Sequence, residues 1–190
     1  MTTKQLVYTA LMTAIIAILG LVPVIPLPFS SVPIVLQNIG IFLAGVILGR
    51  KYGTLSVIVF LLLVVAGLPL LSGGRGGIGV FAGPSAGFLL LYPVVAFMIG
   101  AIRDRFINEI NFWILFVGIL VFGVIALDVI GTLIMGMIIN IPFTKAISIS
   151  LAYLPGDILK AIVASLIGTA LLNHSQFRQI MGLKKSYLRQ

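Results

Sequence analysis

The apolar residues of this chain fall into six runs, roughly 5–24, 34–49, 54–71, 85–102, 112–139 and 155–173. Each is near the ~20 residues an α-helix needs to cross a bilayer. The second run is short and the fifth long, which predicts different tilts or a half-buried end. The breaks carry strong punctuation. Pro23, Pro26, Pro28 and Pro33 follow the first run, Arg50 and Lys51 the second, and SGGRGG the third. RDRFINE follows the fourth, and NIPF with Lys145 the fifth. No inverted repeat, heptad pattern or low-complexity segment interrupts them. The pattern predicts one domain over residues 1–190, an all-α integral membrane protein built as a six-transmembrane-helix bundle. MTTKQLVYTALMTAIIAILG lacks a small-residue cleavage pattern and leads into further spans, so it reads as the first membrane helix rather than a removed leader.

Composition agrees. The chain is 61% hydrophobic and 8% charged, with mean hydropathy +1.27, whereas soluble domains carry about 25% charged residues. The net charge of +8 raises nucleic acid as a partner, but the basic residues form no continuous patch. They sit between the spans, as the positive-inside rule requires. Threading six helices puts Lys4, Arg50, Lys51, Arg103, Arg105, Arg178, Lys184, Lys185 and Arg189 on one side, against Arg75 and Lys145 on the other. That bias predicts cytoplasmic N- and C-termini. Three unusual segments then share the outer side: the proline-rich first loop, SGGRGGIGVFAGPS and LPGD. A ligand pocket is therefore expected to open to the outside. With no cysteine and one histidine, His174 in the tail, thiolate metal sites, cysteine nucleophiles and histidine triads are excluded. No metal or cofactor is expected, and no nucleotide-binding motif is present.

The candidate chemistry begins with LPGDILK, Leu154 to Lys160. Pro155 is expected to open the last helix, with Asp157 in its first turn facing the positive end of the helix dipole. Lys160 lies at i+3 and shares its face. This is either a structural cap with an ion pair or, since charges in membrane helices usually mark pathways and sites, a ligand-binding pair. In SGGRGG, Gly73, Gly74, Gly76 and Gly77 flank Arg75, and AGPSAG adds Gly83 and Ser85. The stretch reads either as a flexible connector or as a lid presenting Arg75 to an anion. Gln37 and Asn38 are polar residues at buried depth, suited to helix–helix hydrogen bonds or to a ligand. Asp128, alone in the fifth run, is a neutral group, a partner of Lys160 or another donor, or part of an ion pathway. In the first run Ala10 and Ala14 form AxxxA, which permits close helix packing inside the protein or against a partner.

Taken in order, VPIVLQN, AGVILGR, AGLPLLSGGRGGIGVFAGPSAGF and LPGDILK resemble the BioY family, from about Ala10 to Ala164. These are the biotin-specific substrate-binding subunits (S components) of energy-coupling factor (ECF) transporters. The resemblance implies a multi-pass subunit of a prokaryotic plasma membrane that binds biotin with high affinity for uptake and is not an enzyme. It also implies docking of the AxxxA helix, here Ala10 and Ala14, on a transmembrane coupling subunit driven by two ATPase subunits. Matching functional groups, Asp157 suits the ureido N–H groups, Lys160 the ureido carbonyl or Asp157 itself, and Arg75 the tail carboxylate. Tyr153 and Phe88 suit the apolar rings, and the glycines a closing lid. The chain departs from the family pattern at GPSAGF, where GPTGGY is usual, and at Asp128, where an uncharged residue is expected. Two other readings keep the architecture: an S component for another small vitamin, and a self-sufficient ion-coupled carrier whose best feature is Asp128. An intramembrane enzyme would need a catalytic constellation that these residues do not supply.

Overall fold

The computed structural model describes residues 1–23 and 35–183, and its regular elements are all helical. Five helices are long and apolar enough to cross a membrane: α1 (Thr3–Gly20), α2 (Gln37–Val65), α3 (Ala86–Arg105), α4 (Phe112–Ile138) and α5 (Phe143–Asn173). A short 3₁₀ turn, Ile78–Phe81, lies between α2 and α3, and α6 (Ser175–Ile180) follows α5. Pro26, Pro28, Pro33, Lys184, Lys185 and Arg189 lie outside the described residues.

Helix α2 is not one rod. Gly49 has φ +74° and ψ −178°, a backbone region essentially restricted to glycine. There the chain folds back. The Gln37 side-chain amide donates to the Ile16 carbonyl at 3.1 Å, and three residues earlier on α1 the Thr13 hydroxyl donates to the Ser56 carbonyl at 3.0 Å. A continuous helix would hold residues 37 and 56 about 28 Å apart. The arms 37–48 and 50–65 therefore run antiparallel over the same stretch of α1. Gly53 makes the closeness possible, since a side chain there would collide with the Ala44 carbonyl. The described residues thus form six helical arms, matching the six apolar runs. The second and third runs end differently from expectation, however, because the turn is the single residue Gly49 and the chain leaves the helix after Val65.

The hairpin tip exposes backbone groups that helix α3 satisfies. Asp104 accepts from the Arg50 N–H at 3.1 Å, and Arg103 donates to the Ile47 carbonyl at 3.2 Å and to Asp104 at 2.8 Å. Lys4, Lys51, Arg103 and Asp104 share a cleft with residues 179–183, and Arg178 donates to the Ile107 carbonyl at 3.1 Å. The basic residues so gather at the hairpin-tip end of the bundle. Gly20, Gln37 and Leu70 meet at the opposite end.

The last long helix departs most from expectation. It begins at Phe143, twelve residues before the predicted start at Pro155, which lies in the helix interior. Asp157 is therefore not in a first turn. It lies about 21 Å along the helix from Phe143, so the dipole-capping reading falls. Proline removes one N–H and frees the carbonyl four residues back, and in membrane helices such a group is tolerated when neighbours compensate. Interior and exterior are sorted as for a membrane protein. Leu62, Leu90, Leu151 and Leu159 are exposed, while Asn38, Asp128, Asp157 and Lys160 are buried.

Candidate functional site

Helices α2, α3, α4, α5 and the loop before α3 line a narrow cavity of about 40 Å³ that widens into an open mouth. From α5 come Asp157 and Lys160, each 4% exposed and ion-paired to one another. The i, i+3 spacing puts both on the inward face, one turn beyond Tyr153. Tyr153 meets Phe88 of α3 edge to face, centroids 6.1 Å apart, the favoured geometry for aromatic pairs. Phe88 in turn packs where Gly131 of α4 has no side chain.

Helices α2 and α3 build the polar rim. Tyr92 donates its hydroxyl to Asn38 Oδ1 at 2.9 Å. Gln37 lines the cavity, but its amide donates to the Ile16 and Leu70 carbonyls at 3.1 and 3.0 Å. Its NH₂ group thus ties α1, α2 and the following loop together, which is the helix-packing alternative raised from its sequence position.

The loop presents Arg75. Leu71 N–H donates to the Arg75 carbonyl at 3.0 Å, closing a tight turn in which Gly73 and Gly74 take φ +78° and +69°. Only glycine adopts such values freely. The Arg75 guanidinium donates to the Ser72 carbonyl and to Ser85 Oγ, both at 3.2 Å. It has no ion-pair partner among the described residues. An anchored guanidinium with donors to spare is suited to a carboxylate.

Of the residues singled out from sequence, the cavity gathers Gln37, Asn38, Arg75, Ser85, Phe88, Tyr153, Asp157 and Lys160. It does not gather Gly73, Gly74, Gly76, Gly77 or Gly83 at its wall. Those glycines shape the loop; Gly76 sits against the Leu68 carbonyl, and an added side chain at Gly73, Gly74 or Gly77 would meet nothing. Two polar liners, Ser72 and Tyr92, were not singled out from sequence, and a third, Asp128, was left open there as a neutral group, a partner of Lys160 or another donor, or part of an ion pathway. Asp128 had a readable signal. Leu127, Asp128, Gly131, Thr132, Met135 and Gly136 form the buried stripe of α4, a helical periodicity that turns the acid inward. A π-helical segment, Ile119–Ala126, immediately precedes it; such segments frequently occur at functional sites.

Chemically, the cavity offers a carboxylate–ammonium pair beside buried aromatic rings, and a separate guanidinium on a glycine-shaped turn. That combination fits a small molecule with hydrogen-bonding groups at one end, an apolar body and an anionic tail. Among the described residues no cluster of three His, Cys, Asp or Glu could hold a metal. Ala10 and Ala14 lie elsewhere, on the exposed face of α1, opposite the face that buries Thr9, Met12, Thr13 and Ile16.

The family model described as "BioY family" matches residues 1–177. A protein named biotin transporter BioY from Rhizobium etli is 42% identical over 177 residues, covering 90% of this chain and 95% of the relative. One of the same name from Lactococcus lactis subsp. cremoris is 43% identical over 166 residues, covering 86% and 88%. A crystal structure described as the S component for biotin from an ECF-type ABC transporter superposes with TM-score 0.88 and 40% identity, over 95% of this chain and 99% of the other.

Proposed function

The chain belongs to the BioY family, and from that premise we propose that it is the biotin-binding S component of an ECF-type transporter. It is a transport subunit and not an enzyme. The observation that carries the reading is the buried Asp157–Lys160 pair sharing one aromatic-lined cavity with the unpaired Arg75. Biotin has matching parts: a cyclic urea with two N–H donors and a carbonyl, an apolar bicycle, and a carboxylate tail. In this reading Asp157 accepts from the urea, and Lys160 donates to its carbonyl while holding Asp157 in place. Phe88 and Tyr153 cover the rings, and Arg75 meets the tail. Asn38, Ser85 and Gln37 complete the polar rim, and Gly73, Gly74, Gly76, Gly77 and Gly83 give the loop the freedom to close.

The residues form a single membrane domain of the prokaryotic plasma membrane. The basic residues gathered at the hairpin-tip end support cytoplasmic termini and a cavity that opens outward. Uptake then requires a transmembrane coupling subunit and two ATPase subunits, the first engaging α1 at Ala10 and Ala14. No nucleotide motif lies in this chain, so ATP hydrolysis belongs to those partners.

The test is equilibrium binding of labelled biotin to the purified protein in detergent, with competition by unlabelled biotin and other vitamins. Tight binding displaced by biotin alone is expected. Displacement by a different vitamin would reassign the cargo, and no binding by folded protein would sink the reading.

A further inference from the structure

The roles just assigned leave one acidic group of the cavity without a task. Asp128 enters from α4, is 1% exposed, and its Oδ2 makes no hydrogen bond among the described residues. Buried polar atoms are nearly always satisfied, so an exception calls for a reason. Packing does not supply one, because the inward stripe of α4 aims the carboxyl at the cavity it lines. Lys160 does not supply one either, since its ammonium hydrogen-bonds to Asp157. Asp128 instead shares a side-chain hydrogen bond with Asp157 and lies within the field of Lys160. The two carboxyl groups thus engage each other beside one lysine, and Oδ2 of Asp128 is the oxygen left without a partner among the described residues.

An unpartnered carboxyl oxygen matches a ligand that brings its own donors. The two N–H bonds of a five-membered cyclic urea diverge on either side of its carbonyl, so one carboxylate does not meet both. Resting on the biotin reading, we propose that Asp128 is a second recognition residue of this cavity. It accepts one ring N–H of the urea while Asp157 accepts the other, with Lys160 facing the carbonyl between them. The site then selects a cyclic urea by requiring both N–H groups. An analogue lacking one would strand a buried carboxyl oxygen, which is how polar pockets discriminate most strongly.

The experiment measures binding of biotin and of its two ring-N-methyl isomers to the wild type, Asp128→Ala and Asp128→Leu, each first checked for folding by thermal unfolding in detergent. Losing this hydrogen bond and leaving a urea N–H buried without a partner should weaken biotin binding to Asp128→Ala by about ten- to a hundredfold. The decisive readout is selectivity. Wild type should reject both isomers, and the Asp128 variants should lose most of the penalty against one isomer while keeping it against the other. A residue acting only through structure would lower all affinities in parallel, so retained penalties against both isomers overturn the proposal. Should Asp128→Ala fail to fold, the same comparison is read from Asp128→Leu, which keeps similar bulk and has no acceptor. Wild type that binds no biotin would overturn the biotin reading itself. Wild type that binds biotin while the variants match it in affinity and selectivity would overturn only the role of Asp128.

Discussion

At the scale of single residues, the site depends on charges placed where lipid would otherwise be. Among the described residues Lys160 is the cation that Asp128 and Asp157 share, so its loss and that of Asp157 are not equivalent. Lys160→Met leaves Asp128 and Asp157 facing each other with no counter-ion, and breaking a buried pair in this way costs about 3–5 kcal/mol. Asp157→Asn keeps a hydrogen-bonding group beside Lys160 and leaves the lysine in the field of Asp128. Ligand-free thermal unfolding in detergent should therefore show a markedly larger loss for Lys160→Met, while Asp157→Asn folds and loses biotin affinity. Equal midpoints would mean that the two acids do not share the lysine. Arg75 differs, being exposed and on a loop, so Arg75→Gln should leave stability unchanged. Its effect should appear as lost discrimination between biotin and biotin methyl ester, which carries no tail charge. A variant still preferring the free acid as strongly as wild type would remove Arg75 from the tail. The Asp157–Lys160 pair was legible because i, i+3 charges in an apolar run have few bland explanations. Asp128 was harder to place, since a lone acid in a long span left a neutral group, a partner of Lys160 and an ion pathway all open, and only the packing of α4 against α3 and α5 shows what it faces.

At the scale of elements, backbone exceptions decide where helices begin, turn and end. Six runs were readable because bilayer thickness imposes their length, yet two boundaries were not. Pro155 looked like a helix start because proline is favoured there, but a helix inside a bundle can carry proline through. Gly49 is the reverse case, an unremarkable glycine in AGVILGR that makes an entire interhelical turn. The positive φ at Gly49 and the Asp104 carboxylate beside it leave no room for a side chain. Gly49→Ala should therefore cost about 1–3 kcal/mol for the backbone alone. It should also displace Asp104 from the Arg50 N–H, giving a clear drop in the unfolding midpoint in detergent. Gly74→Ala, also at positive φ but with nothing near it, is the control that reports backbone strain without the collision. If both variants lose the same stability, the Asp104 contact adds nothing to the hairpin.

At the scale of the whole molecule, capture and transport should be separable because they use different faces. The cavity is built from α2 to α5 and the loop before α3, with no residue of α1 at its wall. Helix α1 nevertheless belongs to the bundle, through Thr13 on Ser56 and Ile16 on Gln37. Its other face, carrying Ala10, Ala14, Val7, Leu11 and Ile18, is exposed. Small residues at i and i+4 let a second helix approach closely, and in lipid that close packing is a main source of association. Replacing Ala10 and Ala14 together with leucine adds bulk only on this outward face, so biotin affinity and thermal stability should stay at wild-type values. Assembly with the coupling subunit, measured by co-purification, should fall, and biotin uptake by cells should fall with it. Normal uptake in that double variant would show that α1 is not the docking helix. Reduced binding by the isolated subunit would show instead that α1 shapes the cavity from outside, through its contacts with the two arms of α2.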